Sequence, residues 1–449
     1  MFSDTEITMT DIKADVIRAK AAAIALSAAD TATKNDALKA MADALDKSRD
    51  TILKANASDM SAAEKMKDAG ELTDAMVKRL KVNDDKINGM IDGIRDVIKL
   101  KDPVGETMST MELDDDLTLY QVRCPIGLLG VIFESRPDVV PQIMSLCLKS
   151  GNAVVFKGGK EASNTNKALF DVLSAAAYKA GIAEGAFCLM ETREDVSDIL
   201  EMDGYIDLLI PRGSNEFVRY IQSNTRIPVL GHSAGICHVY VDSDADEKKA
   251  LDVSLDSKIQ YPAVCNAVEN LLVNAKIAKS FIPKIAKLFE DSGVEVRADA
   301  EAMKIIGNSA KAAEAKASDW DEEYNDMIIS IKVIGSLNDA INFINEHSSK
   351  HTDSIVTENM GNALRFVNLV DSSSVFVNAS TRFSDGFRYG KGAEVGISTN
   401  KVHSRGPVGM EGLMIYKYIL VGNGHVVKDY AGKDAKRFKH RTLNKEFGL

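Results

Sequence analysis

The stretch "GLLGVIFESRPDVVPQIMSLCLKSGNAVVFKGG", residues 127–159, carries the pattern that decides the fold. It opens with an apolar run, "GLLGVIFES", of the kind found in buried strands. The middle part has apolar residues at helical spacing and ends at Gly151, a residue type that commonly terminates helices. The last part, "NAVVFKGG", is another apolar run that stops at a glycine turn. A strand, a helix and a strand in this order predict a βαβ unit with parallel strands.

The same alternation continues along the chain. Strands are predicted in "GAFCLME", "YIDLLIP" and "RIPVLG", and a second series of strands and helices follows Cys265, beginning with "AVENLLVN". Residues 11–100 differ, because alanine, lysine and aspartate dominate them and apolar residues recur at helical spacing. The sequence therefore predicts an α/β protein with two doubly wound α/β domains and a helical start.

Three further segments break this alternation. Residues 109–125 have β-type residues and predict an extended arm or hairpin, and residues 413–427 predict a short hairpin that turns at Gly422–Gly424. Residues 373–413 are rich in glycine, serine, asparagine and arginine and predict a long irregular loop. Long loops in compact proteins are usually functional.

Length and charge limit the classes of function. A chain of 449 residues is long enough for two or three domains, and a net charge of −11 argues against a nucleic-acid binder. The apolar run at 126–133 is far shorter than the roughly 20 residues of a membrane helix, and no basic, apolar leader opens the sequence. Five cysteines without CxxC spacing predict reduced thiols. We expect a soluble, cytoplasmic protein without membrane contact.

Cys265, in "YPAVCNAVENLLV" (261–273), lies where one α/β series gives way to the next. Clefts form at such junctions. Cys147, Cys188 and Cys237 fall in apolar helical or strand patterns and are expected to be small buried hydrophobic residues. From the residues alone, Cys265 is either another buried thiol or a nucleophile, and both interpretations remain open.

Two strand–turn–helix junctions, "VVFKGGKEAS" and "LLIPRGSNEF", have the form of phosphate-binding turns. Glycine allows close approach of the backbone, and the first N–H groups of a helix attract anions. Neither junction matches a dinucleotide-binding or P-loop motif, so an ordinary turn remains the alternative for each. Four arginines lie in loop-like segments, and for any one of them a surface position is the commoner interpretation: Arg136, Arg382, Arg388 and Arg405. The clustering of two or three of them in the glycine-rich region 373–413 favours an anion pocket.

The histidines show no metal-binding pattern. His347 and His351 are four residues apart in "EHSSKH", which would place them on one helix face, but no third ligand stands nearby. We expect this segment to be a solvated helix end. No partner can be identified in the sequence for His232, and no metal site is predicted.

Longer motifs point to a family. The quoted stretch of 127–159 and the later segments "YIDLLIPRGS", "GICHVYVD", "CNAVENLLVN" and 370–413 together resemble the gamma-glutamyl phosphate reductase family of the aldehyde dehydrogenase superfamily. The resemblance extends from about residue 10 to about residue 430. It implies an aldehyde-dehydrogenase-like fold, with a nucleotide-binding domain, a catalytic domain and a β-hairpin oligomerisation arm.

The resemblance also places domain boundaries. The expected segments are a helical start with part of the nucleotide-binding domain (1–108), the oligomerisation arm (109–123), the nucleotide-binding domain (124–258), the catalytic domain (259–411), and a C-terminal hairpin and tail (412–449).

The resemblance assigns roles to individual residues. Cys265 takes the position of the catalytic cysteine, and Ser135 falls near an asparagine that binds the oxyanion in ordinary aldehyde dehydrogenases. The implied cofactor is NADPH, held by Lys157 and Gly158 near the adenosine ribose, by Ser214 beneath the pyrophosphate and by Glu323 at the nicotinamide ribose. The substrate's carboxylate and phosphate are expected to contact Arg136, Arg382 and Arg405.

The implied reaction is the NADPH-dependent reduction of L-glutamyl 5-phosphate to L-glutamate 5-semialdehyde and phosphate through a cysteine thioester, a step of proline biosynthesis. Aldehyde-oxidising relatives carry a glutamate base in a stretch that corresponds here to "LGHSAGICH" (230–238), which has no glutamate. A hydrolytic enzyme needs that base to activate water, whereas a reductive one does not.

The resemblance further implies a homo-oligomer, a dimer or larger, and functional coupling to glutamate 5-kinase. Two alternatives remain open. One is a hydrolytic or CoA-acylating aldehyde dehydrogenase, and the other is a non-catalytic nucleotide-binding scaffold that has kept the fold.

Overall fold

The computed structural model describes residues 4–190, 196–232, 234–307, 311–391 and 393–448, with side chains from Lys13 onward except those of residues 74 and 75. The chain divides into two compact units. The first unit contains Met1–Gly213, Tyr220–Val229 and Gly409–Leu449, and the second contains Ser214–Arg219 and Leu230–Val408. Among the residues described, no helix is both long enough and apolar enough to cross a membrane.

Helices make up most of the first part of the chain. Asn83 starts one of them by accepting a hydrogen bond from the Lys86 N–H, and that helix buries apolar residues at helical spacing. The helices up to residue 223 are α1 Asp4–Ser27, α2 Thr31–Lys47, α3 Arg49–Asp68, α4 Asp74–Leu80, α5 Asp84–Lys99, α6 Val139–Ser150, α7 Ser163–Lys179, α8 Val196–Leu200 and α9 Asn215–Ser223.

The first unit contains the βαβ unit that the sequence predicts. Gly151 ends α6 in the left-handed conformation, with φ of 76°. The strands of this part are β1 Thr107–Asp114, β2 Leu117–Pro125, β3 Leu128–Phe133, β4 Ala153–Gly158, β5 Phe187–Leu189 and β6 Leu208–Arg212. Within the described residues, β5-β4-β3-β6 form a parallel sheet. The strand predicted in "RIPVLG" is absent from this sheet, because only Val229 forms a bridge, to Leu209.

The second unit contains a parallel sheet of seven described strands, in the order β10-β9-β11-β8-β7-β12-β13. Its strands and the ribbon β14–β15 are β7 Cys237–Val241, β8 Val268–Asn274, β9 Glu295–Ala298, β10 Ala312–Glu314, β11 Ile328–Ile334, β12 Thr352–Val356, β13 Ser374–Val377, β14 Gly396–Ser398 and β15 Gly406–Val408. Its helices are α10 Glu247–Ile259, α11 Ala275–Asp291, α12 Ala300–Ile306, α13 Leu337–His347 and α14 Met360–Leu369.

Strand β7 is an interior strand of the second sheet. It pairs with β8 on one side and β12 on the other, and every residue of β7, β8 and β12 is buried. Such burial explains why these strands are continuous apolar runs in the sequence. The second compact unit therefore includes β7 and α10, which the sequence assigned to the segment 124–258.

The predicted arm is an antiparallel hairpin of β1 and β2. It is joined by β16 Met414–Val421 and β17 Arg441–Leu443, giving the order β16-β2-β1-β17. The prediction of a hairpin at 413–427 is wrong. Strand β16 pairs with β2 instead, and residues Val427–Tyr430 form a 3₁₀ helix. All eight residues of β16 pair with β2, which is distant in sequence. A local hairpin would have to replace this complete antiparallel pairing.

Candidate active site

Cys265 lies in the loop between α10 and β8, and its side chain is half-buried. The neighbouring Asn266 donates from Nδ2 to the Ser384 carbonyl oxygen at 2.8 Å, which ties this loop to residues near the 3₁₀ helix Thr381–Phe383. The Cys237 thiol donates to the Cys265 carbonyl oxygen at 3.2 Å. The cysteine is therefore held by its surroundings while its own side chain keeps contact with solvent.

Gly235 packs directly against Cys265. A Cβ atom added to Gly235 would overlap the carbonyl oxygen, Cα and Cβ of Cys265. No side chain fits at position 235 unless the cysteine moves, so the glycine fixes where the thiol stands.

Two histidines accompany the thiol. A ring nitrogen of His232, a ring nitrogen of His351 and Cys265 Sγ all lie within 4.8 Å of one another. The rings of His232 and His351 meet edge to face, with centroids 5.1 Å apart. His351 has 0% exposure, so the expectation of a solvated "EHSSKH" segment is wrong for this residue. It fails because His351 immediately precedes the buried strand β12, while His347 ends α13 and bonds to Asp321.

Neither histidine was predicted as a site residue, and the order of the strands explains why the two lie together. His232, Cys265 and His351 each precede a strand, namely β7, β8 and β12, and these strands are neighbours in the order β8-β7-β12. Residues that precede adjacent parallel strands meet at one edge of the sheet. Each strand was visible as an apolar run, but the strand order was not.

Arg382 is buried beside this group, with 7% exposure. Its Nε donates to Gln260 Oε1 at 2.8 Å, and among the described residues no carboxylate forms an ion pair with it. Burial lowers the pKa of Arg382, as does the charge of Arg388, whereas Cys265 acts in the opposite direction. A buried guanidinium with unused donors close to a thiol is suited to hold an anion there.

The two other predicted substrate arginines have different surroundings. Arg405 forms an ion pair with Asp371 at 3.1 Å and also donates to the Asp371 carbonyl oxygen. Lys401 and Arg405 lower the pKa of Asp371, with Lys401 the larger cause. Arg136 lies in the first unit, half-buried in the turn between β3 and α6.

The first candidate cofactor segment follows β4 in the first unit. Lys157 and Gly158 end that strand, and a Cβ on Gly158 would overlap the side chain of Asn166. The first turn of α7 is already occupied by a carboxylate, since Asp59 accepts from the Asn164 and Thr165 N–H groups at 3.2 and 2.7 Å. An anion at this end of α7 would have to replace Asp59.

The second candidate cofactor segment joins two predicted residues. Ser214 precedes α9 and accepts a hydrogen bond from the Phe217 N–H at 3.3 Å, which caps the helix. Asn215, the next residue, donates to Glu323 Oε2 at 2.6 Å. Tertiary folding thus brings Ser214 and Glu323 into one place within the second unit.

Ser135, the candidate oxyanion donor, follows β3 with φ of 47° and is 2% exposed. Its N–H and its hydroxyl both donate to Glu161 Oε1, at 2.7 and 3.0 Å. Its hydroxyl is therefore engaged within the first unit.

Comparison with known proteins identifies the family. Residues 3–318 match the model of the aldehyde dehydrogenase family. The chain belongs to the aldehyde dehydrogenase family. Among curated relatives, gamma-glutamyl phosphate reductase of Methanosarcina mazei is 61% identical over 440 residues, covering 97% of this chain and 98% of the relative.

Solved structures agree with this assignment. The crystal structure of gamma-glutamyl phosphate reductase from Thermotoga maritima is 41% identical, with a TM-score of 0.88 over 92% of this chain and 98% of that one. A glyceraldehyde-3-phosphate dehydrogenase from Methanocaldococcus jannaschii, complexed with NADP, has 15% identity and a TM-score of 0.63 over 92% of this chain and 95% of that one, which shows the shared fold. Within the aldehyde dehydrogenases, the chain belongs with the gamma-glutamyl phosphate reductases.

In this aldehyde dehydrogenase, residues 230–238 contain no glutamate. The stretch contributes His232 and Gly235 to the surroundings of Cys265 instead. The arrangement supplies a thiol, two imidazoles and a buried guanidinium, and so combines a nucleophile with a site for an anion.

Proposed function

We propose that this chain is an NADPH-dependent reductase that converts L-glutamyl 5-phosphate to L-glutamate 5-semialdehyde and phosphate, through a thioester on Cys265. The observation that carries the reaction type is the half-buried Cys265 beside the buried Arg382, which forms no ion pair with any carboxylate in the described part of the chain. The substrate is taken from relatives named gamma-glutamyl phosphate reductase, which align over nearly the whole of both chains. The same similarity places the reaction in proline biosynthesis.

In the proposed reaction, the Cys265 thiolate attacks the acyl carbon of the substrate. A C–S bond forms, the C–O bond to phosphate breaks, and phosphate departs with one proton from solvent. NADPH, when bound, supplies the hydride that reduces the thioester carbon. The C–S bond then breaks, which releases the aldehyde and regenerates the thiolate. An acyl phosphate is already activated, so the departing group needs no metal or extra activation.

The residues present fit a nicotinamide dinucleotide. Glu323 offers a carboxylate for ribose hydroxyl groups, and Asn215 orients it from the turn that Ser214 opens. Gly158 keeps the backbone after β4 free of a side chain, which suits close approach of a ribose or phosphate. Lys157 is proposed to contact the adenosine ribose, and Lys157 or the exposed Lys160 to favour the 2′-phosphate of NADPH.

The oxyanion and the substrate anions need donors. The Cys265 N–H is proposed to stabilise the oxyanion, with the Ser135 hydroxyl as the side-chain donor. For this role the hydroxyl must break its hydrogen bond to Glu161 and donate to the substrate instead. Arg382 is proposed as the main anion-binding residue. Arg136 and Arg405 remain proposed partners for the second anion, and Arg405 would share its charge with Asp371.

The proposal is tested in the reverse direction by NADP⁺ reduction with glutamate 5-semialdehyde. We expect activity only with phosphate present, and Arg382→Met should raise KM for phosphate or for the semialdehyde by about 10-fold or more, because a charged hydrogen bond contributes about 1.5–3 kcal/mol. Arg405→Met should have a smaller effect, because its guanidinium already pairs with Asp371.

Other outcomes of this assay favour other functions. Activity without phosphate would indicate a hydrolytic aldehyde dehydrogenase, and dependence on CoA instead of phosphate would indicate a CoA-acylating one. Absence of any activity in the wild type would favour the non-catalytic scaffold.

We also propose that the chain forms a homo-oligomer through the antiparallel sheet. Strand β16 lies at the edge of this sheet and exposes Tyr416, Tyr418 and Leu420. An exposed apolar edge strand is a ready partner for another chain. Light scattering should give the mass of a dimer or larger assembly, and a monomeric mass at micromolar concentration would contradict it.

Two further proposals concern the setting of the enzyme. An acyl phosphate hydrolyses readily, so transfer from glutamate 5-kinase without release into solution would protect it; co-elution of the two purified proteins tests this coupling. A cytoplasmic location is proposed from the reduced thiols, and fractionation of the source cells would test it.

A further inference from the structure

We infer that Cys265, His232 and His351 form a binding site for Zn²⁺, and that occupation of this site inhibits the enzyme reversibly. The inhibition rests on the proposed function, whereas the binding does not. The site follows from three observations: the spacing of the ligand atoms, the hydrogen bonds that orient the two imidazoles, and a buried imidazole nitrogen without a hydrogen-bond partner.

The spacing suits ligands around a central ion. The thiol sulfur and one ring nitrogen of each histidine lie within 4.8 Å of one another, and no direct hydrogen bond joins Cys265 Sγ to His351. Bond lengths of about 2.0–2.3 Å around tetrahedral zinc place ligand atoms about 3.3–3.6 Å apart. The separations of the three atoms would shorten by at most about 1.5 Å to fit around zinc, and water would be the fourth ligand.

The imidazoles are oriented as metal ligands usually are. His232 Nδ1 lies 2.8 Å from the Ile397 carbonyl oxygen. Because a carbonyl only accepts, Nδ1 carries the hydrogen and the lone pair of neutral His232 is on Nε2. Metal-binding histidines characteristically donate their other N–H group to a backbone carbonyl or a carboxylate, which fixes the ring.

His351 provides the buried nitrogen. Its Nδ1 lies 2.8 Å from Thr352 Oγ1 and 3.7 Å from the Cys237 thiol. Its Nε2 is buried and has no hydrogen-bond partner among the described residues. An unpaired buried polar atom costs free energy, and an ion is one partner that removes this cost.

The choice of zinc follows from the donor set. One thiolate and two imidazoles are the sulfur and nitrogen donors that zinc prefers, and three protein ligands leave a fourth position open for water, whereas hard cations such as Mg²⁺ prefer oxygen. The positive charge of Arg382 acts against any cation near Cys265. We therefore expect binding that is specific for thiophilic cations and that a chelator reverses.

The functional consequence follows from the ligand identity. A sulfur that is bound to zinc cannot attack an acyl carbon, because its lone pair is held by the metal. Zinc and acyl substrate should therefore exclude each other, and the bound metal should protect Cys265 from alkylation.

Metal binding is tested first on the full chain after chelator treatment, with Co²⁺ alone as a spectroscopic probe. We expect a near-ultraviolet thiolate-to-cobalt absorption band and visible bands of four-coordinate cobalt. Cys265→Ser should abolish the near-ultraviolet band, and His232→Asn or His351→Asn should weaken cobalt binding by at least about 10-fold, as even the loss of an orienting partner does.

His347→Asn is the matched control, because His347 lies in the same unit but bonds to Asp321 at the end of α13. It should leave the cobalt spectrum unchanged. Trp320 fluorescence of each variant reports whether the second unit is folded. A wild-type protein without a thiolate-to-cobalt band, or a band that survives in Cys265→Ser, would overturn the inference whatever the histidine variants do.

Inhibition is tested by adding Zn²⁺ to the phosphate-dependent assay. We expect loss of activity that EDTA restores and that His347→Asn shares with the wild type. A cobalt band in a protein without reductase activity would refute the proposed function and leave the metal site standing. Full reductase activity with neither a cobalt band nor inhibition by zinc would refute the metal site and leave the function standing.

Discussion

Replacing Cys265 by serine is expected to lower the turnover of glutamate 5-semialdehyde by about 10⁴-fold or more, because loss of an attacking nucleophile typically costs that much. A serine hydroxyl is not ionised at neutral pH and is a far weaker nucleophile than a thiolate. The oxygen also preserves the size and polarity of the half-buried position, so the fold should survive. Initial rates of NADP⁺ reduction at saturating phosphate measure the effect.

Cys188→Ser is the matched control for this substitution. Cys188 lies in β5 of the first unit, and burial raises the pKa of its thiol to about 12, which makes it a poor nucleophile. Its serine variant should keep wild-type turnover. A Cys265→Ser protein that turns over at the wild-type rate would remove Cys265 from the mechanism and favour a structural thiol.

The second large effect concerns stability. Glu269→Ala is expected to lower the free energy of unfolding of the second unit by about 3–5 kcal/mol, because it leaves Lys258 as an uncompensated buried charge. The two side chains form an ion pair at 2.6 Å, with both side chains at 0% exposure. Lys258 lies in the last turn of α10 and Glu269 belongs to β8, so their ion pair connects the two ends of the loop that holds Cys265.

Burial outweighs attraction in this pair. Desolvation raises the pKa of Glu269 despite Lys258, and desolvation lowers the pKa of Lys258 despite Glu269. An apolar pair should therefore be tolerated, and Lys258→Met combined with Glu269→Leu is expected to restore stability to within about 1–2 kcal/mol of the wild type or above it.

Urea unfolding followed by Trp320 fluorescence measures both variants. Trp320 is the single tryptophan of the sequence and packs against Phe343 with ring centroids 5.8 Å apart, so its signal reports on the second unit. The control is Lys284→Ala, which breaks the exposed ion pair between Lys284 and Glu247. This substitution should change the free energy of unfolding by less than about 1 kcal/mol. If Glu269→Ala unfolds at the wild-type urea concentration, the pair contributes no net stability.

Local sequence signals were sufficient for the elements around residues 127–159. Apolar runs and the helix-terminating Gly151 predict β3, α6 and β4 because each signal acts within a few residues along the chain. The short strands β9 and β10 and the pairing of β16 escaped prediction. Their stability comes from neighbours distant in sequence, such as β2 for β16, and not from their own residues.

The candidate site divides in the same way. Cys265 and Ser214 were predicted as site residues because long ordered motifs contain them, and Glu323 was predicted from its aligned position. The structure brings the segments of Ser214 and Glu323 together through Asn215. His232 and His351 were not identified, because no spacing along the chain connects them to Cys265.

By itself, the sequence determined the α/β class, the family and the cysteine at the centre of the proposed chemistry. Hydrophobic periodicity and local turn residues encode strands and helices, and a long motif carries its family with it. The order β8-β7-β12 was decided only by tertiary structure, and it gathers His232, Cys265 and His351 at one sheet edge. Strand order depends on the packing of whole buried strands against each other, and no short stretch of sequence contains that information.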